Sequence, residues 1–399
     1  MSDSESSDSE EGLSENEELG LDEEMEDDGT DWEDASSDED DDEPPARRVR
    51  QEWSEGYNTA DPYKPSVTFN PRRPPGPQLA DRTRQDAMLR FSKEEDFFKL
   101  FFPSPLVQKL CDYTNTYAQE HIADNPSYQN KDKGWDLISV PEMYGFIACL
   151  IFMGFVQLLR QEYYWSSASL YNGNWARCMI SSRDRFRAIM AFFRCNDHTA
   201  MDNDDKLRQV RYLIENVKQS CQDYFQCNKE VAVDERMVRS KHRSGMREYN
   251  KDKPTKWGLK LWVLADSDTG YNFIVYLGKT RTRTSGKGLG YDVVMELTEC
   301  LRQQGYHVYT DNFYTSPPLL KDLKQEGLLG CGTTSANRKH FPKEMKTSGA
   351  WAKKVNRGKQ RWRRFDGDVL GIQWKDNKVV SMLSTIHKGS DSVWCRRRC

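Results

Sequence analysis

At Val231 the spacing of apolar residues changes from the helical period to the strand period of two, and this switch constrains the fold more than any other feature. Downstream, Val231 to Met237 and Lys256 to Val263 alternate. Asp268-Thr269-Gly270 supplies a turn, and Tyr271 to Leu277 resumes the alternation, which predicts three antiparallel strands. An amphipathic helix is expected over Tyr291 to Gln304, ended by Gly305, and then a strand from Tyr306 to Thr310 running into Asp311. A further helix (Pro318 to Glu326) and strand (Leu328 to Thr333) follow. Three antiparallel strands, then helix, strand, helix, strand, is the order of an RNase H-like mixed sheet, so the expected class is α+β.

Upstream, between Gln85 and Gln226, apolar residues recur at helical spacing. Ser104-Pro105 has the form of an N-cap with proline at the first helical position, and Pro141-Glu142-Met143 opens another helix. Ser181 to Cys195 and Asp205 to Phe225 complete the set, the last with Leu207, Val210, Leu213 and Val217 on one stripe. The aromatics here read as core rather than as a base-stacking platform.

Charge is segregated. Residues 1 to 44 hold 23 acidic residues and no basic one; removing these from the 63 acids leaves 40 against 58 Lys and Arg, an excess of 18 positive charges beyond residue 44. A basic body of this kind suits phosphate partners, with double-stranded DNA the expected one. Ordering the tail would cost roughly 1–2 kcal/mol of backbone entropy per residue with almost nothing apolar to bury, so disorder is expected there. Serines followed by acids, as in Ser4-Glu5 and Ser9-Glu10-Glu11, suit acid-directed kinases or a merely solvating tail. From Arg47 to Arg84, Pro and Arg predominate (Arg72-Arg73-Pro74-Pro75), which predicts an extended, solvated linker.

The ten cysteines show no CxxC pair and the six histidines fall singly, so reduced thiols and no zinc site are expected. Phe146 to Leu159, the most apolar run, is shorter than the roughly 20 residues that span a bilayer, which predicts a buried helix and no membrane partner. Metal chemistry must then come from carboxylates. Asp234 interrupts the apolar first strand and Asp311 ends the strand after the first core helix; on neighbouring strands they could hold Mg2+ or Mn2+ for an in-line phosphoryl displacement. The bland reading is an edge-strand charge and an ordinary cap. Basic loops flank both acids: Arg243, Lys253, Lys256 and Lys260 around the first, Arg281 and Arg283 before the second. Arg338 to Arg364 adds Arg338, Lys339, Arg361 and Arg363 with Trp351 and Trp362 interleaved, suiting phosphate contacts plus stacking, or simply a solvated basic face.

At these residues the chain resembles the piggyBac transposase family, in its transposable element-derived vertebrate group. Phe102 to Val107, Met153-Gly154-Phe155, Tyr164-Trp165-Ser166 and Arg183 to Asn196 resemble its helices. Val233-Asp234-Glu235-Arg236-Met237, Lys253 to Lys260, Thr269-Gly270-Tyr271 and Thr310 to Ser316 resemble its core motifs, and the likeness runs from about Arg84 to His387. The resemblance implies a cut-and-paste reaction joined at TTAA, with Asp234 and Asp311 matching the first two catalytic aspartates. It also implies a third aspartate in a Gly-Gly-Val-Asp-x-x-Asp-Gln stretch beyond Trp374 to Val380, which this sequence does not contain, nor the family's cysteine-rich C-terminal domain. Asp366, Asp368 and Asp376 are the stand-ins to weigh, although Asp376 falls in a strand pattern. The resulting expectation is a C-terminally truncated, nuclear, transposase-derived DNA-binding protein with weak or no strand transfer. An active recombinase and a non-enzymatic protein whose acidic tail binds a nuclear partner are the alternatives. The expected organisation is a disordered tail and linker (1–84), a helical dimerisation and DNA-binding domain (85–227), an RNase H-like core (228–337) that is incomplete, a basic insertion (338–368), a final core strand (369–387) and a tail (388–399) unlike the family, with a homodimer as the expected assembly.

Overall fold

The computed structural model describes residues 54–55, 60–79, 93–124, 135–168, 171, 174–199, 204–240, 244–251, 253–278, 285–335, 338, 340–341, 345, 350–365 and 368–392. The acidic tail, Arg243, Arg281, Arg283, Lys339 and Asp366 lie outside them.

The helical region packs α1 (Glu94–Phe101), α2 (Ser104–Asp124), α3 (Val140–Phe155), α4 (Asn174–Met179) and α5 (Arg183–Phe192) around Leu110, Met143, Phe146, Phe186 and Ile189. Ser182 caps α5 by accepting the Arg185 N–H at 3.1 Å, and the Arg185 guanidinium grips both oxygens of Glu142 on α3 at 2.7 Å. Gly145 lets α3 lie against α4, because a Cβ there would sit 2.5 Å from the Met179 carbonyl oxygen. No helix among the described residues is long and apolar enough to cross a membrane.

The helix expected from Asp205 begins only at Arg211, as α6 (Arg211–Tyr224). The Asp205 carboxylate bonds the Leu207 N–H at 2.9 Å and clamps the Arg211 guanidinium, which offers the backbone a turn in place of the first helical residues. The predicted stripe therefore splits. Leu207 is buried with Val275 and Leu277, whereas Val210 is 37% exposed.

Twelve strands are present among the described residues: β1 (Ser54–Glu55), β2 (Gly76–Pro77), β3 (Phe225–Gln226), β4 (Glu230–Arg239), β5 (Arg247–Tyr249), β6 (Trp257–Ala265), β7 (Gly270–Val275), β8 (His307–Thr310), β9 (Leu329–Thr333), β10 (Gln360–Phe365), β11 (Val369–Lys375) and β12 (Val379–Ser384). Ten form one sheet in the order β1-β10-β11-β12-β9-β8-β4-β6-β5, with β7 on the same edge of β6 as β5. The pairs β4–β8 and β8–β9 are parallel, and the others in this sheet are antiparallel. α7 (Leu289–Leu297) and α8 (Pro317–Gln325) supply the crossovers and bury Val294, Leu297, Leu319 and Leu323 against Val233, Leu264 and Val308. The mixed RNase H-like α+β fold is thus present.

Three expectations need correction. α7 stops at Leu297 rather than Gln304: the Thr298 hydroxyl donates to the Val294 carbonyl at 2.7 Å, and a short tight turn, Glu299–Leu301, leads out. The stretch 369–387 is not one strand but the hairpin β11–β12, turned at Asp376 and Lys378 by a 3.0 Å backbone bond; Asp-Asn is turn chemistry that the strand pattern masked. The basic segment 338–368 is not a separate insertion throughout, since β10 joins the sheet, Phe341 and Met345 are buried in the core, and Trp351 of the short α9 (Ala350–Lys354) lies against Arg361 of β10.

The predicted solvated linker is also packed where it is described. Asp61 and Tyr63 are buried, and the Tyr63 hydroxyl donates to the Thr385 carbonyl at 2.8 Å. The Asn70 N–H donates to the Gln304 carbonyl, and Phe69 packs edge-on against Tyr306. Arg73 donates to the Gln222 and Asp223 carbonyls at the C-terminus of α6, where a helix leaves unpaired oxygens. Gly305 makes room for the strap: its φ is +74°, and a Cβ would lie 2.2 Å from the Thr68 carbonyl oxygen. Among residues 60–79 no helix forms, and the guanidinium of Arg73 and the backbone of Asn70 find partners on the body.

Candidate metal centre at the ends of the parallel strands

Parallel register brings the two predicted aspartates together. In β4 and β8 Val233 stands beside Thr310, so Asp234, the next residue of β4, and Asp311, which follows β8, lie side by side where the parallel pairing ends and β4 runs on, at the carboxyl end of β8, where open α/β sheets take ligands. Glu235 joins them: ligand oxygens of Asp234, Glu235 and Asp311 lie within 4.8 Å of one another. The sequence reading passed over Glu235, although its signal was visible as a second acid next to Asp234.

The three carboxylates are not equivalent. Asp234 and Asp311 are exposed, and one oxygen of each is taken by backbone, the Glu235 N–H at 2.7 Å and the Phe313 N–H at 2.9 Å respectively. Glu235 turns toward the core. It accepts the Tyr314 hydroxyl at 2.7 Å, with Lys260 at 3.9 Å and Lys253 at 4.0 Å. Burial pushes its carboxyl above the usual range; the Tyr314 bond and the Lys260 charge oppose this, and the two aspartates reinforce it. Burial, then the Glu235 bond and charge, push the Tyr314 hydroxyl far up, so it stays a donor.

The loop after Asp311 is held from three sides. The Thr315 hydroxyl donates to the Asp311 carbonyl at 2.7 Å and lies 2.7 Å from the Thr310 hydroxyl; Gly332 on β9 must be glycine-sized, because a Cβ would come within 2.2 Å of the Thr315 hydroxyl oxygen. Arg338 donates to the Asn312 and Phe313 carbonyls.

The predicted DNA-contacting cations thus divide. Lys256 is exposed. Lys253 and Lys260 face Glu235, and Lys260 also sits 5.5 Å from the centre of the Phe313 ring. Arg361 is bonded to Gln373 and lies 4.5 Å over Trp351, while Arg363 is half-buried on β10. Trp362, expected to offer a stacking face, is 5% exposed beneath Gly389. Of the stand-in acids, Asp368 pairs with Lys324 and Asp376 with Arg357, so neither belongs to the carboxylate cluster.

Hard oxygen donors of this number suit Mg2+ or Mn2+ better than zinc, which favours nitrogen and sulfur ligands. Fold and site together define the class: an RNase H-like protein with carboxylates converging where the pairing of its central parallel strands β4 and β8 ends. A family model described as transposase IS4 matches residues 93–398. Human PiggyBac transposable element-derived protein 3 is 25% identical over 355 residues, covering 86% of this chain and 55% of that protein. Human PiggyBac transposable element-derived protein 2 is 23% identical over 328 residues, covering 77% and 52%. A piggyBac transposase, seen by cryo-electron microscopy in a synaptic complex with hairpin DNA, has the same fold: the TM-score is 0.65 at 24% identity, covering 80% of this chain and 65% of that one. The chain belongs to the transposase IS4 family, in its piggyBac branch, and spans about half the length of the curated relatives it matches.

Proposed function

We propose that this chain is a transposase-derived DNA-binding protein that holds a divalent cation between Asp234 and Asp311 and cuts DNA only weakly. The observation that carries the reading is the unequal state of the three acids. Asp234 and Asp311 offer oxygens at the open edge, whereas Glu235 is engaged by Tyr314, Lys253 and Lys260. A divalent cation would supply Lewis-acid polarisation of a phosphate and a more acidic bound water. Around it, the chain's own groups have positional work. Tyr314 and the two lysines fix Glu235, and Arg338 with Thr315 fixes the backbone that presents Asp311. Two free carboxylates offset less of the charge of a metal pair than three or four would, which leaves a scissile phosphate loosely held.

Incubating the full chain with a labelled TTAA-flanked duplex in Mg2+ or Mn2+ separates the readings. Salt-sensitive binding with little or no nicking is the expected result; efficient nicking abolished by Asp234→Asn would instead establish an active recombinase, the second reading, which the close approach of Asp234 and Asp311 favours. A nuclear location and a homodimer go with the DNA-binding reading. Exclusion of the tagged protein from nuclei, or a monomeric mass on DNA, would remove them. A nuclear partner of residues 1–44 is the remaining reading, and pull-down with and without that tail tests it.

A further inference from the structure

Beyond the carboxylates, β4 and β6 continue as a ribbon with β5 on its edge, and this ribbon carries two large aromatics that the core does not use. Trp257 is 49% exposed and Tyr249 is 47% exposed; they are cross-strand neighbours with ring centres 5.0 Å apart. The Arg247 guanidinium lies 4.5 Å over the Trp257 ring, and Lys256 adjoins it in sequence. Among the described residues no carboxylate forms an ion pair with Arg247 or Lys256. Burying neither ring is unusual for side chains of this size in a chain that buries Trp165, Trp262 and Trp362.

Register fixes where this ledge faces. Asp234 pairs with Val263, and odd-numbered residues of β6 share a sheet face with even-numbered residues of β4, so Trp257 stands on the same face as Asp234 and Arg236. Tyr249 pairs with Trp257 and joins that face. Val263 is six residue steps along β6 from Trp257, about 20 Å at ~3.4 Å per residue. That is on the order of six nucleotide steps at ~3.4 Å per strand. Gly258 lets β4 and β6 approach closely next to Trp257, since a Cβ there would lie 2.3 Å from the Val238 carbonyl oxygen.

We infer that Trp257 and Tyr249 form a stacking ledge for an unpaired base of a DNA strand whose backbone passes the Asp234–Asp311 edge. The inference rests on the DNA-binding reading above. An exposed aromatic pair offers π-faces that accept any base, while Arg247 and Lys256 hold the flanking phosphates, which is how unpaired strands are bound without sequence preference. A duplex end would leave the rings idle, because its bases are already stacked on one another.

The test compares two probes of equal phosphate number: a duplex with a short thymine tail and the same duplex with an abasic tail, each made with either tail polarity. The full chain should bind the thymine tail more tightly than the abasic one in one polarity. Trp257→Ala should weaken thymine-tail binding about tenfold, about 1.4 kcal/mol, while leaving the abasic tail within about twofold. Trp257→Phe should keep most of the preference, and Tyr249→Ala should lose part of it; these two carry the test if circular dichroism shows Trp257→Ala to be unfolded. Equal wild-type affinity for both tails, or equal loss on both in the variants, overturns the stacking ledge and leaves DNA binding standing. Binding of neither probe overturns the DNA-binding reading, and the ledge with it.

Discussion

Two groups of carboxylates in this molecule have opposite surroundings. Where the β4–β8 pairing ends, Asp234 and Asp311 are exposed, close to each other and to Glu235, and each has one oxygen taken by backbone. At the far edge of the sheet, Asp61 has a side chain only 1% exposed, and its two oxygens take the Arg364 guanidinium, the Gly389 N–H at 2.8 Å and the Tyr63 N–H at 3.1 Å. Arg364 in turn donates to the Asp368 and His387 carbonyls and lies 3.6 Å over Tyr63, so one buried pair ties the strap, β10 and the segment after β12 together. Burial pushes the Asp61 carboxyl up, but the bonds from Arg364, Gly389 and Tyr63 outweigh it and hold it below the usual carboxylate range. A carboxylate whose oxygens are filled holds the fold; one whose oxygens remain open is available to a ligand.

Breaking the filled acid should do most harm. Asp61→Ala strands a guanidinium whose side chain is 16% exposed and should cost about 3–5 kcal/mol, read by urea unfolding. The sign with pH follows from the lowered value. The Asp61 contribution is fully present above about pH 4, the unfolded range, and is lost as pH falls through the lower folded value. The gap between wild type and Asp61→Ala should therefore stay constant from pH 8 to 5 and narrow only in stronger acid.

Next in size, Tyr314→Phe removes the hydroxyl from Glu235 and should cost about 1.5–3 kcal/mol, the range for bonds to charged groups. Loss of less than 0.5 kcal/mol, a threshold set from roughly the smallest neutral bond, would mean that Glu235 is protonated or solvated instead. At the open acids the comparison reverses. Asp234→Asn should leave metal-free stability within about 0.5 kcal/mol, whereas Mn2+ at ten times its dissociation constant should stabilise wild type by about 1.4 kcal/mol and the variant hardly at all. Metal stabilisation that survives in Asp234→Asn would show the ion to sit elsewhere. Smallest of all, Lys256→Ala should shift stability by no more than about 0.5 kcal/mol and reduce the slope of log affinity against log salt by about one on DNA.

Much of this was legible in the chain. Period two after Val231, Gly270 in the β6–β7 turn, and Ser104-Pro105 and Pro141 at the starts of α2 and α3 act locally, so each left a signal in neighbouring residues. The two aspartates were also legible, because an acid within an apolar strand, as at Asp234, or just past one, as at Asp311, breaks its pattern. Where a local pattern had two meanings, the sequence misled: Asp205 read as the start of a helix but bonds the Leu207 N–H, and Trp362 read as a free ring but lies under Gly389.

By itself, then, the sequence determined the helix–strand order from β6 to β9 and the placing of Asp234 within one strand and of Asp311 just past another, since these depend on residue spacing along the chain. Tertiary structure alone decided that Glu235 is held by Tyr314, 79 positions away, and that Asp61 is filled by Arg364, 303 positions away. It also decided that Trp257 and Tyr249 stand uncovered on the face of Asp234. Filling or leaving open a side chain depends on what the folded sheet brings to it, and no periodicity along the chain records that distance.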